Sequence, residues 1–458
     1  MPPPRQPLIQ RLDGTLDGGG LAALARTLPD RYPFLLQSVA SGTAQGCYDL
    51  LFAFPAERLT LSRRGELQGP HAEADDFLAA LDRWFRQEQR PRPEGVPFAG
   101  GWFLYLGYEL AGEVEPSLDL PATEEPLPVA TAVRIPAALI RDTASGALWW
   151  ATEDPEAAPR ASVEADLAAA PTTESPFRLE TLEEDPPDRY LDAVARARRY
   201  IRDGDIFQAN LARTWRGRLS PETGPDALYA RLSRANPGPF AGLARLGEAT
   251  VISSSPERLM DIRGKRASMR PIAGTRPRGE GAGDAALRAE LESHPKERAE
   301  HIMLVDLIRN DLGRICRPGT VAVDELMTLE EYAHVHHIVS EVGGEVDRGI
   351  GPGEAIRATF PGGTITGCPK VRCMEIIAEL EGGGRGAYTG SMGYLDAGGD
   401  LDLNILIRTL VQYGDRLTLR AGAGIVADSE PEAELAETRA KARGLLAALE
   451  GDGEAEGA

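Results

Sequence analysis

The chain is short of bases, aromatics and cysteine. Fifty Lys and Arg stand against 70 Asp and Glu, giving a formal net charge of -20. A surface of that sign repels nucleic-acid phosphates and anionic lipid, so neither is expected as a partner. An anionic substrate would need a metal ion or a local basic pocket. The four cysteines, Cys47, Cys316, Cys368 and Cys373, show no CxxC and no Cys/His zinc spacing. A disulfide framework and a zinc site are therefore not expected, and reduced thiols are. No apolar run is long enough to span a bilayer, and the start "MPPPRQPLIQ" has no secretory apolar core. A soluble, cytoplasmic protein is expected. Aromatics are only 6%, whereas 50 Gly and 35 Pro predict many loops.

At 458 residues the chain can hold two or more domains or one large unit. Residues 1–150 mix helical and strand patterns, with "LAALARTL" (21–28) read as helix and "CYDLLFAF" (47–54) as strand. Residues 151–189 are rich in Pro, Ala and acid and read as a connecting segment with one short helix. From 190 to about 450 the texture changes. Leu191, Val194 and Ile201 have helical spacing, followed by a turn at Gly204 and a strand-like run. Residues 296–312 read as a helix with Ala299, Ile302, Met303, Leu307 and Ile308 on one face, and 369–380 as a helix with Pro369 near its start. "AYTGSMGYL", "LNILIRTLVQY" and "RLTLRAGAG" read as strands, and Ser429 with Glu432 as a capping box for the last helix. Strands and helices without regular βαβ alternation predict an α+β fold with large antiparallel sheets.

Two acidic pairs stand out: Glu297 and Glu300 beside Lys296, and Glu434 and Glu437 near Lys441. Each pair is spaced i, i+3, so both carboxylates share a helix face. A solvated helix face has the same spacing. Four carboxylates converging from two helices would make a hard oxygen site suited to Mg2+, with substrate oxygens completing the shell. "FPGGTITGCPK" is a Gly-rich turn running into a helix N-terminus, a setting that favours anions. "RAGAGIVADS", with Gly422 and Gly424, reads as a second small-residue turn. Glu257 follows a strand and a proline, and beside apolar walls its carboxyl would serve as a general acid. Arg408 interrupts an apolar run, where an anionic ligand or a buried salt bridge would satisfy it. Tyr388 and His337 add polar tips near these turns.

The ordered series "SSSPERL", "PIAGTRPRG", "HPKERAEHIMLVDLIRNDLGR", "HHIVSEV", "FPGGTITGCPKVRCMEII", "YTGSMGYL", "IRTL" and "AGAGIVADSEPEAELAETRAKA" resembles the chorismate-utilising enzymes. That family includes the large subunits of anthranilate synthase and aminodeoxychorismate synthase, and the isochorismate and salicylate synthases. The match covers about 190–445, and the earlier region resembles the family's amino-terminal part. The resemblance implies an anthranilate synthase component I-like fold: two large, mainly antiparallel sheets packed together with flanking helices. It implies Mg2+ held by Glu297, Glu300, Glu434 and Glu437, and Glu257 as the acid at the departing C4 hydroxyl. Tyr388, Arg408, Gly422 and Gly424 would bind the pyruvyl carboxylate. Lys296 and Lys441 would lie close to the metal–carboxylate site, with His337 and Thr275 lining the active site.

Within the family, Ala273 occupies the position of the lysine that activates water in salicylate and isochorismate synthases. It also replaces the covalent lysine of the well-known aminodeoxychorismate synthases, and is what anthranilate synthases carry. Other segments point to amination at C4. "DIFQANLAR" stands in place of an anthranilate synthase "QVVLSQ", Ile308 in place of Gly, "VHHIVS" in place of "VMHIVS" or "VQHIVS", and "FPGGTITG" in place of "FPAGTVSG". Leu35-Leu36-Gln37-Ser38 departs from the "LLES" stretch that helps bind feedback tryptophan. The resemblance thus implies conversion of chorismate and ammonia to 4-amino-4-deoxychorismate, with anthranilate formation and a non-catalytic chorismate-binding role as alternatives. No Cys-His-Glu glutaminase module is visible, so ammonia is expected from a separate glutamine amidotransferase subunit.

Overall fold

The computed structural model describes residues 6–15, 18–39, 47–170, 175–277, 295–331 and 335–450, and among the described residues every strand pairing is antiparallel, as the mixed pattern predicts. The first sheet has 12 strands. Its central run is Tyr48–Ala53, Phe34–Gln37, Phe240–Leu246, Ala249–Ser255, Thr409–Tyr413, Arg416–Ile425 and Gln208–Leu219. The second has 11, centred on Val335–Glu345, Arg266–Met269, Arg258–Arg263, Leu401–Asn404, Ser391–Asp396, Gly101–Leu106 and Ala130–Ile135. Both sheets interleave early and late chain. Phe34–Gln37 pairs with Phe240–Leu246 in one, and Gly101–Leu106 with Ser391–Asp396 in the other.

The facing surfaces of the sheets share an aromatic core. Phe34 stacks on Phe103 at 3.9 Å between centroids, and Phe52 meets Phe98 and Phe103 edge-on. Such ring pairs contribute about 0.5–1.5 kcal/mol each beyond area burial. Helices Gly18–Thr27, Pro225–Ala235 and Pro431–Leu449 cover the outer face of the first sheet. Pro187–Asp203 and Lys370–Glu381 cover it further along. Phe77–Glu88, Pro295–Gly313 and Pro352–Thr359 cover the second, with Trp84 edge-on to Trp102. Gly204 closes Pro187–Asp203 with φ 85°, the left-handed C-cap that its place in the sequence predicts.

Several expectations are corrected. The segment 151–189 contains the short helix Arg160–Ala169 but also the strand Leu179–Glu184, which pairs with Gln208–Leu219. "LETLEE" is largely solvated, so this edge strand has no apolar alternation to betray it. "LNILIRTLVQY" is two strands, Leu401–Asn404 and Thr409–Tyr413, and they belong to different sheets. "RLTLRAGAG" is a strand as read, Arg416–Ile425, so Gly422 and Gly424 belong to that strand and the turn of "RAGAGIVADS" comes after it, at 427–428. The capping box is not formed. Glu430 is the N-cap without a side-chain bond, and Ser429 Oγ accepts from Val426 N at 3.0 Å instead. The buried face of Pro295–Gly313 is His301, Leu304, Val305, Ile308, Asp311 and Leu312, while Ile302 is 57% exposed and Ala299 is exposed. An apolar stripe read from the sequence missed this because two polar residues, His301 and Asp311, are buried with partners.

The site depends on where chain passes between sheets. Ala249–Ser255 leads through Pro256 and Glu257 into Arg258–Arg263 of the other sheet. Leu401–Asn404 leads through Ile405–Arg408 into Thr409–Tyr413. These strands are neighbours in both sheets, so the two crossings lie side by side. Ser254 N donates to Arg408 O and Ile405 N to Glu257 O, both at 3.0 Å.

A second link between early and late chain is the pair Glu125–Arg420, at 2.6 Å, with Glu125 fully buried. Thr418 Oγ1 also donates to Glu125, at 2.8 Å. Removing one member of a buried pair strands the other charge. Glu125→Ala should therefore lower the unfolding free energy by about 3–5 kcal/mol in urea titrations. A loss of less than about 1 kcal/mol, the scale of exposed pairs, would contradict this.

Candidate active site

Glu257 sits at the first crossing, 6% exposed. Thr364 Oγ1 donates to its carboxylate at 2.8 Å, and its own N–H donates to Ser255 Oγ at 3.2 Å. Burial pushes the carboxyl up to about 7, against the opposing pull of the Thr364 hydrogen bond and of the charges on Lys441 and Arg408. The group can thus hold a proton near neutrality and release it.

Arg408 lies in the second crossing at φ 54°, a left-handed conformation uncommon for a side chain of this kind. Its guanidinium makes no ion pair or hydrogen bond among the described residues, although Tyr388, Glu257 and Glu437 act on it through space. Burial pulls its pKa down. A cation so placed calls for an anionic ligand. Tyr388, in the turn before Ser391–Asp396, is buried, and its phenol is pushed up to about 12, chiefly by burial.

The helix Pro431–Leu449 brings the second acidic pair and Lys441 to this place. Lys441 Nζ lies 2.7 Å from Glu437 Oε1, and Lys441 acts on Glu257. Glu434, one turn earlier, is 9% exposed, and both glutamates act on buried Tyr190. This helix packs on Arg416–Ile425 on the side of Ala423 and Ile425, which share a core with Leu435, while Gly422 lies against Tyr388. A Cβ at Gly422 would stand 2.7 Å from Tyr388 Oη. Beyond Leu419 that strand is paired on one side only, which leaves alternate backbone amides open.

The helix Pro295–Gly313 carries the first acidic pair. Glu300 is half-buried, and the side chains of Lys296 and Glu297 lie outside the described part. The helix is clamped to the strand Val335–Glu345 by His301 Nε2 and Ser340 Oγ, 2.5 Å apart. Burial lowers the His301 pKa to about 4, so the ring is neutral. Lys370 Nζ, 2.8 Å from buried Asp311, ties the helix to the start of Lys370–Glu381. In the strand pair, Thr275 stands opposite His337 and Ala273 opposite Ile338; the side chains of Ala273 and Thr275 lie outside the described part. The structure thus gathers Glu257, Arg408, Tyr388, Lys441, Glu437 and Gly422, and sets Glu300 and His337 on a neighbouring helix and strand. Among the described residues no three Asp, Glu, His or Cys side chains gather to hold a metal. The donor chemistry of Glu300, Glu434 and Glu437 is nonetheless all carboxylate oxygen, which fits a hard cation.

Sequence reasoning missed four contributors. Thr364 is in "PGGTITG", where attention fell on the backbone amides. Gln208 and Asn210 were read only as markers of resemblance. Arg385, 1% exposed, was not singled out at all. It binds Glu381 through two nitrogens at 2.6 and 3.0 Å and donates to Asn210 O at 2.7 Å and Ile365 O at 3.2 Å. It also lies against the Tyr108 and Tyr388 rings. One cation therefore fixes the strand of Asn210, the turn of Thr364 and the ring of Tyr388. A lone Arg after "GGG" gives little sequence signal, since Asn210, Ile365 and Tyr108, which it ties together, are distant in the chain.

Residues 35–447 match the family model described as "chorismate binding enzyme". The chain belongs to the chorismate binding enzyme family. It is 46% identical over 361 residues to an anthranilate synthase component I-like protein of Synechocystis sp., covering 78% of this chain and 74% of that one. It is 39% identical over 403 residues to aminodeoxychorismate synthase component 1 of Bacillus subtilis, covering 82% of each. The solved anthranilate synthase component I from Streptococcus pneumoniae superposes with a TM-score of 0.77 at 30% identity, over 88% of this chain and 93% of that one. These neighbours agree with the predicted α+β, two-sheet architecture. No helix among the described residues is long and apolar enough to cross a membrane.

If Glu257 is the general acid, it must be protonated to donate, and kcat should then fall as pH rises through about 7. Glu257→Gln should lower kcat by about 10²–10⁴-fold and remove that falling limb. A Gln variant with near wild-type kcat would return Glu257 to a structural role.

Proposed function

We propose that this chain aminates chorismate at C4, giving 4-amino-4-deoxychorismate and water. The observation that carries the reading is the pairing of a buried, protonatable Glu257 with an unneutralised Arg408 across two adjacent sheet crossings. Arg408, Tyr388 and the open edge at Gly422–Gly424 would take the pyruvyl carboxylate. Glu257 would give its proton to the departing C4 hydroxyl, which leaves as water. The ammonia nitrogen forms the new bond to carbon, and the resulting ammonium group returns a proton to Glu257. His337 and Thr275 would line the ring, with Lys296 and Lys441 beside the carboxylates.

Mg2+, held by Glu297, Glu300, Glu434 and Glu437, would supply the positive charge that lets a dianionic substrate sit among carboxylates. Lys441, already bonded to Glu437, supports that balance from the protein side. Ammonia would come from a separate glutamine amidotransferase subunit. With Ala273 in place of a lysine, it would reach the ring without a covalent enzyme adduct.

Amination at C4 is preferred over anthranilate formation because of Gln208-Ala209-Asn210, "VHHIVS", "FPGGTITG" and Ile308. Ile308 is only 3% exposed, so its side chain occupies core volume that the glycine usual in anthranilate synthases leaves unfilled. The B. subtilis relative named for this activity supports the choice. The anthranilate reading keeps the support of the Synechocystis and S. pneumoniae neighbours and of Ala273.

Product analysis decides between them. Purified chain with chorismate, Mg2+ and ammonium should release neither anthranilate nor pyruvate, and should yield p-aminobenzoate once an aminodeoxychorismate lyase is added. Fluorescent anthranilate as the main product would reverse the assignment. Turnover should vanish in EDTA and return with Mg2+, and Glu300→Gln or Glu437→Gln should lower it by orders of magnitude. Full activity in EDTA would remove the metal from the scheme.

A further inference from the structure

The strand Gln208–Leu219 presents Gln208 and Asn210 on one face, two residues apart. Their main chains are satisfied: Asn210 N donates to Thr366 O at 2.9 Å, and Asn210 O accepts from Arg385 at 2.7 Å. Gln208 O accepts from the Cys373 thiol at 3.0 Å. The side chains are not. Gln208 Oε1 and Asn210 Oδ1 are buried and have no hydrogen-bond partner among the described residues.

The neighbouring strand leaves space for them. Gly424 stands opposite Asn210, and Gly422 opposite Ala212. A Cβ at Gly424 would come within 2.5 Å of Gln208 Nε2. One at Gly422 would come within 2.7 Å of both Asn210 Oδ1 and Tyr388 Oη. The two glycines therefore let two carboxamides and the Tyr388 hydroxyl lie directly on the strand, and Tyr388 in turn acts on Arg408. A buried carbonyl oxygen without a donor is costly, and a ligand that brings N–H groups relieves the cost. The carboxylates of chorismate are acceptors and suit Arg408, not these oxygens. Ammonia, the co-substrate of the proposed reaction, is a donor of three N–H bonds.

We propose that Gln208 Oε1 and Asn210 Oδ1 form the docking site for the ammonia nucleophile, a role that rests on the amination reading above. Neutral acceptors are the right chemistry. A carboxylate at the same place would favour ammonium, whose nitrogen has no lone pair to attack with. Two oxygens take two of the three N–H bonds and leave the lone pair free to face the ring.

The test is steady-state kinetics of the full chain with Mg2+, chorismate and varied ammonium. Asn210→Ala and Gln208→Ala should each raise the KM for ammonium by about tenfold, the value of one hydrogen bond, with the chorismate KM held within about twofold. Asn210→Asp keeps the shape if the alanine variant folds poorly. It should lower kcat without raising the ammonium KM, because the site would hold ammonium. A rise in the chorismate KM at constant ammonium KM would overturn the site, since the amides would then face substrate carboxylate with their N–H2 groups. So would variants that change neither KM. If the wild type turns over and only these signatures are missing, the docking site fails alone. If the wild type makes no product from ammonium, the site and the amination reading fail together.

Discussion

The structure turns on one constraint: two neighbouring strands leave one sheet together and enter the other together. The crossings must lie in register, because Ser254 bonds Arg408 and Glu257 bonds Ile405 through the main chain. That register sets a carboxyl and a guanidinium in the seam between sheets with no ion pair between them. Each pays a desolvation cost, visible as a carboxyl pushed up and a guanidinium pulled down. A fold that keeps such a pair apart holds a proton donor and a cation ready for one ligand, the arrangement on which the proposed amination rests.

The surrounding structure holds that seam rigid from three sides. Arg385 gathers Asn210, Ile365, Thr389 and Glu381 from behind. His301 and Ser340 lock the helix of Glu300 onto the strand of His337. The Glu125–Arg420 pair fastens the early chain to the strand that ends in Gly422 and Gly424. A separate cavity of about 660 Å³ opens on the other side of the crossings, where Leu36 and Gln37 face Pro239, Phe240 and Met392. Gln37 there accepts from Tyr229 at 2.8 Å and is buried. The "LLQS" departure from the feedback-site pattern thus lies in a built pocket apart from Glu257.

Legibility followed the range of the interactions. The helix Pro187–Asp203 and its Gly204 cap were readable because caps and apolar spacing are local. The acidic pairs were readable because i, i+3 spacing is a property of one helix. Leu179–Glu184 was not, since only its partner strand makes it a strand. Arg408 was read as a charge inside a strand because the apolar run on either side is continuous, and nothing local marks the change of sheet. Thr364 and Arg385 act on residues 107 and 175 positions away, a distance no motif spans.

By itself the sequence determined the α+β class, the presence of several helices, and the residue types able to bind a hard cation and an anion. Those follow from composition, periodicity and ordered motifs, all carried by short windows of chain. Tertiary structure alone decided that Glu257 is buried enough to hold a proton near neutrality. It alone decided that Arg408 has no ion-pair partner among the described residues and that Gln208 and Asn210 lie against two glycines. Burial and unmet hydrogen bonds are properties of what surrounds a group, and those surroundings come from chain hundreds of residues away.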